Sequence, residues 1–259
     1  MSPILLRLGP IVIHSYAALV NAGLLLGAGL VVHEARRREI DLARVIDAIL
    51  GAALVGLVLA HATYVGAHWE YYGEHLREAL RPWTGGLLGP GAVLGGAIGA
   101  GVVGRLRGLP AFKVLDVLAP GAACLTIFAW LACFMVGCAW GIEAYPDQGL
   151  LWAMSLDQPD LYGIREPRVA VQLLGAGWSA IVLVILLVWE RRPRRQGVAF
   201  SLWLTFHSLG SFGLGFLGPD QLLTVAGWRV DQLANLALGV AGVVLLASRL
   251  VNGRRGVTA

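Results

Sequence analysis

The chain has 259 residues, of which 57% are hydrophobic and only 14% charged. A soluble chain carries nearer ~25% charged residues, so a water-facing globular fold is excluded for most of it, and a mean hydropathy of +0.71 makes lipid the expected solvent. The net charge of +4 arises from short basic clusters between apolar stretches, which excludes a nucleic-acid surface, and three cysteines embedded in apolar sequence are too few for a disulfide framework.

In chain order, Met1 to Pro10 carries one basic side chain, Arg7, and no small-x-small cleavage site with a mature domain follows it. It reads as the approach to a first spanning helix and not as a cleaved signal peptide. Seven apolar segments follow, over Ile11–Val32, Val45–Gly66, Gly85–Gly104, Val114–Val136, Val169–Trp189, Val198–Leu217 and Val230–Leu250. Each is near the ~20 residues that cross ~30 Å of hydrocarbon. Backbone in lipid satisfies itself internally, and none of the segments alternates like a barrel strand, so the prediction is an all-α integral membrane fold. Residues 1–259 form one polytopic membrane domain of about seven transmembrane helices.

Loop charge sets the predicted orientation. Fourteen of the 20 basic residues fall on one side: Arg36, Arg37, Arg38, Arg44, Arg105, Arg107, Lys113, Arg191, Arg192, Arg194, Arg195, Arg249, Arg254 and Arg255. That side is cytoplasmic, which puts the N-terminus outside and the C-terminus in the cytoplasm. Two long connections, 67–84 and 137–168, then lie outside. The first, with Trp69, Tyr71, Tyr72 and Trp83, suits an amphipathic helix in the headgroup belt. The second reads as a folded surface loop. The short basic inner loops read as topology anchors.

Polar residues within apolar segments are candidate functional groups, because they are costly in lipid. His14 and Tyr16 stand at the outer end of the first segment, as interfacial anchors or substrate contacts. His61 and Tyr64, one helical turn apart, face a cavity or make an interhelical hydrogen bond. Asp116 suits a structural cap. His207, Ser208, Ser211, Gln232 and Asn235 suit interhelical hydrogen bonds. In the third segment, GGAIGAG has the small-xxx-small spacing of closely approaching helices, and a Gly-rich stretch also offers bare amides to an anionic headgroup. On a continuous helix Cys133 and Cys138 point some ~140° apart, so they are poor joint metal ligands and read as buried thiols. No metal site and no cofactor are expected; the expected ligand is a membrane phospholipid.

The order of motifs resembles the bacterial prolipoprotein diacylglyceryl transferase family across nearly the whole chain. LGPIVIHSYAALVNAGLLLG resembles the family's opening, WTGGLLGPGAVLGG its Gly-rich segment, and LDVLAPG with CFMVGCAWG its signature region. RVAVQLL resembles the helix start that carries Gln172, and FGLGFLGPDQ and VDQLANLALGVAG the last two segments. The resemblance implies diacylglyceryl transfer from phosphatidylglycerol to a lipoprotein cysteine, in a cavity bordered by His14, Tyr16, His61, Tyr64 and Gln172. It also exposes departures. Pro90 stands where the family has a histidine, Trp130 where it has an arginine, and Cys133 where it has an asparagine. Ser211, Gly215 and Gly218 replace an Arg, Glu and Arg of the sixth segment, while Asp220 is kept. A guanidinium clamps phosphate through charge-assisted, often bidentate bonds that Trp and Ser do not reproduce. The family reading is therefore a divergent, lipid-binding member with a vacated catalytic site. The alternative is a non-catalytic structural or accessory subunit of a larger membrane protein complex, whose partners are other membrane proteins as well as lipid.

Overall fold

The computed structural model describes the chain except residues 1–3, 10, 161, 191–194, 219–223, 226 and 256–259. Arg191, Arg192, Arg194 and Asp220 therefore lie outside the described residues. Seven long helices match the seven apolar segments: α1 (Ser15–Arg37), α2 (Leu42–Ala67), α4 (Gly89–Leu106), α5 (Ala111–Val136), α7 (Val171–Trp189), α8 (Val198–Gly215) and α9 (Val230–Arg255). Two four-residue helices, α3 (Trp69–Tyr72) and α6 (Leu150–Ala153), lie in the long connections. The chain is an α-helical membrane protein: α1, α2, α5, α7 and α9 are long and apolar enough to cross a bilayer. The 18-residue helices α4 and α8 are not in that group.

Helix α5 is the hub, packing against α1, α4, α7 and α8, while α2 pairs with α4 and α8 with α9. The main core draws on six helices, with Val31 of α1, Ala48 of α2, Ala100 of α4, Val117 of α5, Leu186 of α7 and Trp203 of α8 among its buried members. Leu25, Leu54, Ile181 and Val244 point outward and are exposed, as expected of side chains whose solvent is lipid. Glycine lets the helices approach closely. A Cβ at Gly27 of α1 would lie 2.9 Å from the Gly121 oxygen of α5, and one at Gly121 equally close to the Gly27 oxygen. In α4, a Cβ at Gly95 would lie 2.9 Å from the Gly56 Cα, and one at Gly99 would strike the Gly51 carbonyl. The small-xxx-small stretch is thus a helix interface, as its spacing predicts.

Several boundaries differ from the sequence expectation. The first helix begins at Ser15, because Ile4–Leu8 (β1) and Ile11–His14 (β2) form an antiparallel hairpin across a turn with Gly9 at a φ of 59°. Two further hairpins, Ser155–Pro159 (β3) with Arg165–Val169 (β4) and Thr224–Val225 (β5) with Trp228–Arg229 (β6), lie at the same end of the bundle. All three are outside the apolar segments, where β-branched residues and turn-forming Gly compete freely with helix. The 67–84 connection is mostly turns after α3, with Gly73 ending the helix and Pro82 starting a 3-10 turn, and not a long amphipathic helix. Its Trp69, Tyr71 and Trp83 are nonetheless exposed, as a headgroup belt requires.

Candidate functional site

The two ends of the bundle carry different chemistry. At the end formed by the short basic connections, Arg38 follows α1 with its side chain almost fully buried. Its Nε bonds Glu34 at 2.5 Å and its Nη2 holds both oxygens of Glu190 at 2.8 and 2.9 Å. Its Nη1 lies 3.6 Å from Asp116. Asp116 is fully buried and accepts from the backbone N–H of Gly197 (2.6 Å) and Phe200 (2.9 Å). It is a cap, as expected, but of α8 and not of its own helix. Arg38 is thus a buried tie between α1, α5 and the end of α7, which corrects its reading as a plain topology anchor. The reason is that three carboxylates meet it there, and a buried guanidinium is tolerated only with such partners.

The other end, where both long connections emerge, holds the residues predicted for the lipid cavity, and it splits them into groups. His61 is buried on α2, with ring nitrogens 3.0 Å from the carbonyl oxygens of Gly86 and Ala79. It ties the 67–86 connection down, a bond to a connection and not the interhelical bond of its second reading. Tyr64 stacks on His68, with ring centroids 4.1 Å apart, and a Cβ at Gly86 would press on its ring. Gly86 itself has a φ of 76°, favouring glycine twice over. Pro90 stands in the first turn of α4, next in line to this group. His14 precedes α1 without capping it, and Tyr16 in the first turn is 45% exposed.

Trp130 and Gln172 belong to a second group, around the end of α5 and the start of α7. Trp130 lies over Gly175 of α7, where a Cβ would be 2.8 Å from the indole nitrogen. Gln172 is fully buried; its Nε2 donates to the Cys138 carbonyl at 2.8 Å and to Gln158 Oε1 at 3.0 Å. Gln158, also fully buried, reaches the Arg168 carbonyl at 3.5 Å. Arg168 pairs with Glu143 at 2.9 Å and Asp160 at 3.4 Å. A close approach at Gly141, whose Cβ would lie 3.0 Å from the Leu217 oxygen, lets Ile142 donate to Leu217 at 2.8 Å, so the 137–168 connection is stitched to the end of α8.

Cys133 and Cys138 form a disulfide, which corrects their reading as free thiols. The helix does not continue between them: Gly137 turns left-handed, at a φ of 78°, and Cys138 N–H donates back to Cys133 O at 3.0 Å. Cys124 alone is free, and it is buried.

The C-terminal end of α8 forms a third group. A Cβ at Gly215 would meet Gln232 Cγ at 2.6 Å, and one at Gly218 would meet Arg229 Nη1 at 2.8 Å. Arg229 is held bidentately by Asp231, at 3.0 and 2.6 Å, and Nη1 donates to Gly215 O at 3.3 Å. Ser211 is half-buried one turn earlier. Gln232 accepts from Arg229 N–H at 3.2 Å, a local cap and not the interhelical bond expected of it. Ser208 likewise departs from expectation, its buried Oγ having no hydrogen-bond partner among the described residues. The crevice beside it, lined by Thr126, Trp178, Ser179, Trp203 and His207, is too narrow for a water molecule. Among the described residues no three His, Cys, Asp or Glu side chains converge as metal ligands.

Sequence reasoning missed Arg38, Gln158 and the disulfide. Gln158 lies in a polar connection and carries no periodic signal; only the fold turns it inward.

The chain is similar to proteins of known type over nearly its full length. The family model for prolipoprotein diacylglyceryl transferase matches residues 3–248. The phosphatidylglycerol–prolipoprotein diacylglyceryl transferase of Bacillus velezensis is 30% identical over 98% of this chain and 94% of its own. The enzymes of the same name from Geobacillus kaustophilus (30% identical, 96% and 93% covered) and Bacillus licheniformis (28%, 98% and 94%) agree. With these relatives and its apolar helices, the chain is a multi-pass protein of the bacterial cytoplasmic membrane and belongs to the prolipoprotein diacylglyceryl transferase family.

Proposed function

We propose that this protein is a phospholipid-binding member of its family that has given up diacylglyceryl transfer from phosphatidylglycerol to a lipoprotein cysteine. The observation that carries this reading is how the altered positions are occupied. Trp130 is packed onto Gly175, the space over Gly215 and Gly218 holds Gln232 and Arg229, and Pro90 brings no titratable group. A transferase needs a proton acceptor for the thiol and a cation for the phosphate, both in reach of one lipid. Lipid binding is supported by the exposed Tyr16 and by the aromatic belt of Trp69, Tyr71 and Trp83 at the same end.

In this reading all seven long helices span, with the N-terminus outside and the C-terminus inside. The basic connections support it, and so does a disulfide at the opposite end, since disulfides persist in oxidising compartments.

A second reading keeps the transfer and uses Arg229 as the phosphate cation, because its guanidinium lies against Gly218, where the family pattern has an arginine. Asp231 already neutralises that guanidinium, which disfavours it. Complementation of a transferase-depleted bacterium separates the two, with lipid attachment to a reporter lipoprotein as readout. The proposal expects no attachment. Attachment by the unmodified chain that vanishes in Arg229→Ala establishes the second reading instead. Native mass spectrometry of a mild-detergent extract completes the test: retained phospholipid supports the proposal, and companion subunits without lipid indicate an accessory role.

A further inference from the structure

We propose that the Cys133–Cys138 disulfide is a thiol–disulfide exchange site for a cysteine-bearing polypeptide. This goes beyond the lipid-binding reading and does not depend on it.

A purely structural role explains the bond poorly. Its cysteines are five residues apart, so it closes a short loop and removes less chain entropy than a long-range bridge does. The turn it spans is already closed by the Cys138 N–H to Cys133 O bond and by left-handed Gly137. Both cysteines are partly exposed, whereas Cys124 is buried. The turn is also poised to open: Ala139, next to Cys138, holds a φ of 52°, a conformation that costs a residue with a Cβ. Opening has a defined consequence, because the Cys138 carbonyl holds the buried Gln172, and Gln172 holds Gln158 of the β3–β4 hairpin. The surface of the following connection suits an apolar polypeptide, with Tyr145, Leu150, Trp152 and Tyr162 all exposed.

In the exchange, a partner thiolate attacks Cys133 Sγ and forms a new S–S bond. The Cys133–Cys138 bond breaks, and its electron pair leaves on Cys138 Sγ, which takes a proton from water. A second partner thiolate then attacks the partner's own sulfur in the mixed disulfide; Cys133 leaves and is protonated, and the partner departs oxidised. Run backwards, the reduced pair reduces a partner disulfide. Cys138 is the first leaving group because Cys133 lies in the last turn of α5, where the helix carbonyls disfavour a thiolate.

The test uses the purified full chain in detergent, with glutathione redox buffers and a synthetic peptide carrying one cysteine after an apolar stretch. Open thiols are trapped with a maleimide and counted by mass. The expected result is reversible opening of the pair without denaturant. Hydrogen exchange should rise at residues 137–141 and 155–160 on reduction. Cys133→Ser, which keeps the better thiolate at Cys138, should capture the peptide as its activated disulfide at least about tenfold faster than Cys138→Ser captures it at Cys133. A wild-type pair that stays closed to reductant until the protein is denatured overturns the proposal, and this measurement needs no variant to fold. So does a folded Cys133→Ser that captures nothing.

Discussion

The two ends of α5 are built on opposite principles. At Asp116 the helix is locked by charge: one buried guanidinium faces three carboxylates, and the start of α8 hangs from one of them. At Cys138 it is held by neutral groups, a backbone turn, a disulfide and the two glutamines Gln172 and Gln158. The charged end ties at least four helices, so it acts as the fixed base of the bundle. The neutral end ties a helix to a surface hairpin, and it is the end where rearrangement leaves the base intact. Only the first is expensive to break.

The comparison is tested most severely at Arg38. Arg38→Met leaves Glu34, Asp116 and Glu190 buried together without their shared cation, and it should cost about 3–5 kcal/mol, read as lost thermal stability in detergent. Next, Gly95→Val should destabilise by roughly 1–3 kcal/mol, because its new side chain runs into α2, whereas Gly29→Val, with nothing within 4 Å, should be near neutral. At the neutral end, Gln172→Leu should cost about 1–2 kcal/mol and raise hydrogen exchange in the hairpin while leaving the Arg38 end protected. A loss at Gln172 as large as that at Arg38 would dissolve the distinction between base and movable end.

The last effect concerns pH. Burial first, then a hydrogen bond with Glu34, pushes the Glu190 carboxyl up to about 7, against the pull of Arg38. Between the ordinary carboxylate range and that value the folded state keeps a proton that the unfolded chain releases. Stability should therefore fall as pH rises through this window and level off above it. Melting temperatures of the wild type and of Glu190→Gln across the window check this: the variant should lose the slope.

How much of this was legible in sequence depends on the range of the interaction. The seven long helices follow from hydrophobic segments of spanning length, and the Gly95–Gly99 interface from spacing alone, because both are local patterns. Asp116 was legible as a cap, but its client, Gly197, is 81 residues away. Arg38 was not legible as a buried group, since counting charge by loop says nothing of a Glu190 partner 152 residues on. The disulfide was hidden for a different reason. Helical geometry separates Cys133 from Cys138, and only the left-handed turn at Gly137 brings the sulfurs together. Of the candidate site, the residues were found but not their grouping. His61 and Tyr64 do share a face, yet they hold a connection in place, while Trp130 and Gln172 belong to the α5–α7 contact.

The central functional claim is that this family member holds a phospholipid without transferring its diacylglyceryl group. The most direct test is the purified protein in nanodiscs containing phosphatidylglycerol, incubated with a lipoprotein-signal peptide, with mass spectrometry of both peptide and protein. The account predicts phosphatidylglycerol bound to the protein and a peptide of unchanged mass. A peptide heavier by one diacylglyceryl group would contradict it.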